Sequence, residues 1–365
     1  MTLPLRIGVM QLTMEPLESI LAHARELDRH GFDTIWLAEA YPWWRKHSME
    51  ARSSTAISAL IARETERLTV GWGIIAPYTR HPIQVAMEAR VTQEALGGED
   101  RFRLGFGASK IFMKEIGEGE RKPARPLTAI RESLQIVRAI LDGEEVDFEG
   151  REYTAKVPPL RDDAETPRTC PPLYVAGTGP KMQLLAGEMA DGLLTPSITT
   201  PGFVRYSRGN LAKGAQEAGR DADEIDLGCT IVASIDEDRG KGREGAREIA
   251  GMYLANKVQN IQGSADVLLN EASLTQEEIR PIAEAMESGG RLAAAAAVSD
   301  EILDKTRPIA GTPEDCIAAI EEYRDAGCTH IMLELWGENR DRQIELFADQ
   351  VLPHFRATAA ATPNS

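Results

Sequence analysis

Four short stretches of this sequence carry residue types at spacings that could do chemistry. The first is "YVAGTGPKMQLLAG" (174–187), a strand-like run ending in Ala176, Gly177, Thr178 and Gly179 before a helical pattern opens at Pro180. Backbone N–H groups of a glycine turn that feeds a helix form an anion site suited to a phosphate. The same residues would equally serve as a plain tight turn. They are not the dinucleotide fingerprint, and they lie far from the first strand where that motif belongs. A phosphate of the mononucleotide kind fits better.

The second stretch, "AEAYPWWRKHS" (38–48), sets Glu39 ahead of Trp43 and Trp44. A carboxylate there could act as acid, base or charge anchor, and the tryptophans could flank a planar ring. The competing reading is a lid over its own apolar patch. The third, "LGFGASKIFMKEIGEGERKPARP" (104–126), follows Gly107 with Ser109 and a basic run. Lys110, Lys114, Arg121, Lys122 and Arg125 outnumber Glu115, Glu118 and Glu120 inside a chain of net charge −16. Such a run is commonly just solvated, yet it could hold an acidic ligand tail. Lys110, next to a strand end, also leaves a Schiff-base lyase open. The fourth stretch is "LTVGWGIIAPYTRHP" (68–82), a strand interrupted by Gly71 and Gly73. Glycine inside a strand marks a bulge or a close approach to the backbone.

Strand-like and helical patterns alternate along the whole chain, and they must position these stretches. Strands are expected over 5–10, 33–39, within 68–82, and over 101–107, 172–177, 191–197, 226–235 and 329–335. Helices are expected over 15–31, 54–66, 81–97, 127–143, 180–190 and 341–355. In the first of these, Leu17, Ile20, Leu21, Ala24 and Leu27 keep the helical period. Eight strands separated by helices predict a (β/α)8 TIM barrel, with function at the C-terminal strand ends. An open doubly wound sheet is the rival. A single domain over 1–356 is expected, with insertions near 108–126 and 257–312 and a flexible tail over 357–365. The run "RLAAAAAV" in the second insertion reads as a helix-packing face.

Composition narrows the classes further. The 365 residues are 42% apolar and 27% charged, enough for a full-sized core. The acidic balance speaks against nucleic acid and anionic membranes, which reward clustered Lys and Arg. No signal peptide or membrane span is expected. Cys170, Cys229, Cys316 and Cys328 form no CxxC pair and suit a reducing cytoplasm. The six histidines show no metal-ligand spacing, so no metal is expected. No nucleophile elbow is present.

The motifs "HGFDTIWLAEAY", "VGWGIIAPYTRHP", "RFRLGFGAS", "LTAIRESLQIVRAILDGEEVDFEGREY", "PLYVAGTGPKMQLLAGEMADGLL" and "GTPEDCIAAIEEYRDAGCTHIMLEL" occur in this order. Together they resemble the luciferase-like flavin and deazaflavin oxidoreductases, and within them the coenzyme F420-dependent methylenetetrahydromethanopterin reductase-like proteins. The resemblance implies a luciferase-like barrel, a homodimer or dimer of dimers, and hydride transfer between the deazaflavin C5 and a small-molecule substrate. It implies a non-proline cis peptide at Gly73–Ile74 behind the ring, which would also meet Ala76, Gly107, Ser109 and Lys110. Ala176, Gly177, Thr178 and Gly179 would receive the phosphate. Glu39 stands where relatives keep an acid near the ring, with Trp43 and Trp44 beside the substrate. Relatives follow that acid with a histidine where Ala40 stands, and some place a glutamate near Ala108 and Ser109. The methanopterin enzymes carry one where Met10 stands. The alternative within this fold is FMN and oxygen, as a two-component monooxygenase served by a separate reductase. A non-catalytic flavin-binding relative is a further alternative.

Overall fold

The computed structural model describes residues 3–39, 50–108, 125–159, 169–259, 265–335 and 339–361. The first half alternates β1 (Arg6–Leu12), α1 (Leu17–Arg29), β2 (Thr34–Ala38), α2 (Ser54–Glu64), β3 (Thr69–Ile75), α3 (Pro82–Leu96) and β4 (Phe102–Gly107). After α4 (Pro126–Leu141) comes a hairpin of β5 (Val146–Glu149) and β6 (Thr154–Val157), antiparallel to each other. The repeat resumes with β7 (Leu173–Ala176), α5 (Pro180–Met189), β8 (Gly192–Thr195), α6 (Pro201–Glu217) and β9 (Asp226–Ile235). Four helices follow: α7 (Arg239–Gln259), α8 (Ala265–Glu271), α9 (Gln276–Ala297) and α10 (Asp300–Thr306). The chain ends with β10 (Ile309–Gly311), α11 (Pro313–Asp325), β11 (His330–Leu335), α12 (Arg340–Leu346) and α13 (Leu352–Ala361).

Eight parallel strands run β9-β11-β1-β2-β3-β4-β7-β8, and β8 pairs back to β9. That last pairing closes the barrel and removes the open-sheet rival. All eight expected strands are in it. The hairpin β5–β6 and the strand β10, which extends β9 beyond the barrel, were not expected. The helical stretch expected from 257 begins earlier, at Arg239. It builds a second apolar core from residues such as Val232, Ile249, Tyr253, Ile279 and Leu303. The alanine run does pack closely: a Cβ on Gly251 of α7 would lie 3.0 Å from the Ala294 backbone.

Side chains alternate across each strand, so odd and even positions face opposite sides. Buried apolar residues on one side meet the helices. On the other side, Trp36, Tyr174, Leu194 and Met332 fill the barrel itself. Trp36 dominates this interior. A Cβ on Gly71 would lie 2.3 Å from its indole, and one on Gly73 would lie 3.2 Å away. The interrupted third strand therefore first answers to Trp36, which needs glycines opposite it.

Below Trp36, at the N-terminal end of the barrel, lies a buried polar network. Asp226 takes hydrogen bonds from Tyr174 Oη at 2.7 Å and Thr329 Oγ1 at 2.6 Å. Arg6 pairs with it at 2.7 Å and His330 Nδ1 lies at 3.3 Å. Trp36 Nε1, which can only donate, reaches His330 Nε2 at 3.4 Å, so that ring is neutral with its proton on Nδ1. Burial alone would raise the Asp226 carboxyl. The His330 and Thr329 hydrogen bonds and the Arg6 charge outweigh it and hold the group far below the usual carboxylate range.

A carboxyl lowered by folding stabilises above its unfolded value and loses that contribution as pH falls. Asp226→Asn should destabilise the fold by about 3–5 kcal/mol at pH 7, since it strands Arg6. The deficit should begin to narrow below about pH 4, where the wild type starts to lose this contribution. Urea midpoints at pH 7 and pH 3 measure both; an equal deficit at the two values would assign the loss to packing.

Candidate functional site

The C-terminal strand ends converge on a mouth whose floor is apolar. Met10, Ile74 and Ala176 are partly buried and pack down onto Trp36, Tyr174, Leu194 and Met332. They come from β1, β3 and β7, so three separate strands supply one surface. The Gly73–Ile74 peptide is cis, and the pairing of β3 with β4 shifts register between Gly73 and Ile75. Ile74 lies over the glycines of β4: a Cβ on Gly107 would sit 3.0 Å from its Cγ1 and 3.0 Å from Ala176 Cβ. Gly107 thus makes room for Ile74. Ala76 is buried, and its carbonyl accepts from Thr79 Oγ1 at 2.7 Å.

One side of the mouth is the turn after β7. Gly177 N–H donates to the Leu194 carbonyl at 3.2 Å, tying the turn to β8. Gly179 begins α5 in ordinary extended geometry with no side-chain cap. A Cβ there would touch nothing within 4 Å, whereas one on Gly177 would lie 2.5 Å from Met182. Beneath the turn, the fully buried Gln183 donates to the Gly177 carbonyl at 3.2 Å and the Thr178 carbonyl at 3.3 Å. Asn210 in turn holds the Gln183 oxygen at 2.8 Å. The Gly177 N–H and the Gly177 and Thr178 carbonyls are thus engaged within the chain, which leaves the N–H groups of Thr178 and Gly179 as the turn's candidates for an anion. Gln183 was missed in the sequence, where it reads as an ordinary helix residue.

Glu39 stands just past β2, and both of its oxygens are engaged. Arg80 grips it in bidentate fashion at 2.8 and 3.1 Å, and the Ser54 N–H opening α2 donates at 3.0 Å. Arg80 reaches Glu88 as well, at 3.3 Å. The group is therefore a clamp joining β2, α2 and the loop after β3. Arg80 lies inside a quoted motif, but its pairing across 41 residues has no sequence signal.

A second carboxylate was not singled out at all. Glu334 is on β11, in step with His330 and Met332, which face the barrel interior. It is 1% exposed at the mouth end of that strand. Tyr253 of α7 donates to its Oε1, Ser197 hydrogen-bonds it from the segment after β8, and Oε2 has no hydrogen-bond partner among the described residues. Burial pushes this carboxyl up to about 7, with the two hydroxyls and the Lys257 charge pulling it only part of the way back.

Of the residues singled out, Glu39, Gly73, Ile74, Ala76, Gly107, Ala176, Gly177, Thr178 and Gly179 all lie at the C-terminal ends of barrel strands or in the segments that follow them. Trp43, Trp44, Ser109 and Lys110 lie outside the described residues, as does the basic run apart from Arg125. Arg125 faces Glu152 of the hairpin at 3.6 Å.

Known proteins agree with this architecture. The 5,10-methylenetetrahydromethanopterin reductase of Methanopyrus kandleri is 29% identical over 338 residues, covering 90% of this chain and 92% of its own length. The F420-dependent glucose-6-phosphate dehydrogenase of Rhodococcus erythropolis is 28% identical over 340 residues, covering 90% and 91%. The solved coenzyme F420-dependent tetrahydromethanopterin reductase from Methanopyrus kandleri superposes with a TM-score of 0.84 at 27% identity. That match covers 96% of this chain and 99% of that one. Residues 1–330 match the family described as luciferase-like monooxygenase, and over that span the chain belongs to it.

Proposed function

We propose that this protein is a coenzyme F420-dependent oxidoreductase that moves hydride between the deazaflavin and a small organic substrate. The observation that carries the reading is the mouth itself, an apolar floor beside an uncapped helix start with open space above Gly179. A flat ring seated on Met10, Ile74 and Ala176 would present its phosphate to Gly177, Thr178 and Gly179. The coenzyme supplies the redox chemistry when bound, while the protein supplies orientation and exclusion of water. The relatives named as F420-dependent support the deazaflavin over FMN. The basic run 110–125 would hold the coenzyme's acidic tail, and Trp43 and Trp44 would wall the substrate pocket.

Glu39 belongs in this reading as a positioning group, since its oxygens already serve Arg80 and Ser54. We also infer a homodimer. Leu60 of α2 and Met87 and Val91 of α3 are exposed large apolar side chains on two neighbouring helices.

Coenzyme identity is tested by titrating F420 and FMN side by side and following fluorescence. F420 should bind more tightly; tighter FMN binding would move the assignment to the two-component monooxygenase. Gly179→Val should weaken F420 binding about ten- to a hundredfold, the worth of one or two hydrogen bonds to a charged group. Its melting temperature should change little, because among the described residues nothing meets the new side chain. Gly177→Val, by contrast, should lower stability through Met182.

Glu39→Gln and Arg80→Met should each reduce turnover, and the double variant should lose little more than either. Such coupling, about 0.5–3 kcal/mol, is what a single clamp produces. Additive losses would show two independent roles. For assembly, Met87→Lys with Val91→Lys should convert the dimer to monomer in light scattering, and an unchanged mass would place the interface elsewhere.

A further inference from the structure

The mouth contains two carboxylates in opposite conditions. Glu39 is engaged on both oxygens, by the Arg80 guanidinium and the Ser54 N–H. Glu334 is buried, with one oxygen unpaired among the described residues. A native interior rarely leaves such an atom unpaired, because the desolvation loss is large. Its surroundings combine the apolar side chains of Val232 and Ile198 with the hydroxyls of Tyr253 and Ser197.

The position is also informative. Val9 of β1 is registered with Leu333, so Met10, part of the floor, is the next residue along from that pair and neighbours Glu334. On the other side Glu334 pairs in register with Val232 of β9. Among the described residues, the polar groups facing it are Tyr253 and Lys257 of α7 and Ser197 after β8. Lys257, half-buried, is the one charged group of these. No carboxylate or arginine is among them, so the proton affinity of Glu334 is set chiefly by burial.

We propose that Glu334, held by Tyr253 and Ser197 at the mouth end of β11, exchanges the proton that accompanies hydride transfer in this site. The proposal rests on the oxidoreductase reading above. It also narrows the substrate to a neutral C=O or C=N acceptor, or the corresponding alcohol or amine in reverse. The acceptor carbon gains hydride, the π electron pair moves to the oxygen or nitrogen, and that atom takes the proton from Glu334. Two-electron oxidation of the reduced deazaflavin releases hydride and one proton, and that proton reloads the carboxylate, so the exchange balances. A group titrating near neutrality can serve in both directions.

The first test needs no coenzyme. The carbonyl band of a protonated carboxylic acid should be visible by infrared spectroscopy in the apo protein, titrate near pH 7, and vanish in Glu334→Gln. The melting temperature of that variant relative to wild type should rise by about 2–4 °C between pH 5 and pH 8. The sign follows from linkage: a carboxyl raised in the folded state stabilises below its unfolded value, and that contribution is lost as pH rises through the folded one. With coenzyme, Glu334→Gln should lower turnover about a hundredfold while F420 affinity changes less than about threefold. The alkaline limb of its pH–rate profile should disappear. Should Glu334→Gln fail to fold, Tyr253→Phe serves instead. Losing that hydroxyl should move both the infrared midpoint and the alkaline limb to higher pH. Absence of the band at pH 6, or a limb unmoved in either variant, overturns the proposal. Failure of wild type to bind F420 overturns the oxidoreductase reading instead, and the apo measurements separate the two.

Discussion

The indole of Trp36 in the centre of the barrel is the contact on which both ends of the molecule depend. It is fully buried, and its edge-to-face contact with Tyr174 places the ring centroids 5.1 Å apart. Downward, its N–H reaches His330 and so joins the network around Asp226. Upward, it underlies Met10, Ile74 and Ala176. A side chain of this size can fill a barrel only if facing positions are small, and Gly71 and Gly73 meet that demand. Packing at the centre thereby sets the shape of the third strand, and with it the floor of the mouth.

The two carboxylates of the mouth show how environment divides labour between like groups. A pair of arginine bonds and a helix-start N–H make Glu39 a clamp that ties three segments together. Glu334 has hydroxyl donors and a more distant ammonium, which compensate burial incompletely. One carboxylate is thus bound into a clamp, while burial governs the other.

The architecture was legible because each barrel strand is short, apolar and bounded by a helix, a pattern carried by local sequence. The cis bond at Gly73–Ile74 and the turn at 177–179 lie where the motifs implied them. The hairpin 146–157 was not legible: its two four-residue strands alternate weakly, and a buried glutamate secures it. Glu132 of α4 accepts from the N–H groups of Arg151, Glu152 and Tyr153, a long-range arrangement without local signal. Glu334 escaped notice for a related reason. In "HIMLEL" it is one polar residue in an apolar strand, and only closure of the barrel, with Tyr253 of α7 against it, reveals that it is buried.

Glycines show where the chain's own demands end and a ligand's begin. Gly71 and Gly177 are crowded by their own neighbours, Trp36 and Met182, so each is explained without any bound molecule. Gly107 is explained by Ile74 in the same way. Gly179 is different. Its backbone is in a region open to any residue, and among the described residues nothing approaches the place where a Cβ would stand. A serine, threonine or aspartate in that position would add only about a few tenths of a kcal/mol over glycine, so the chain's own stability selects weakly there. In the proposed site, the small residue leaves room for the coenzyme phosphate beside a turn that Gln183 holds from below.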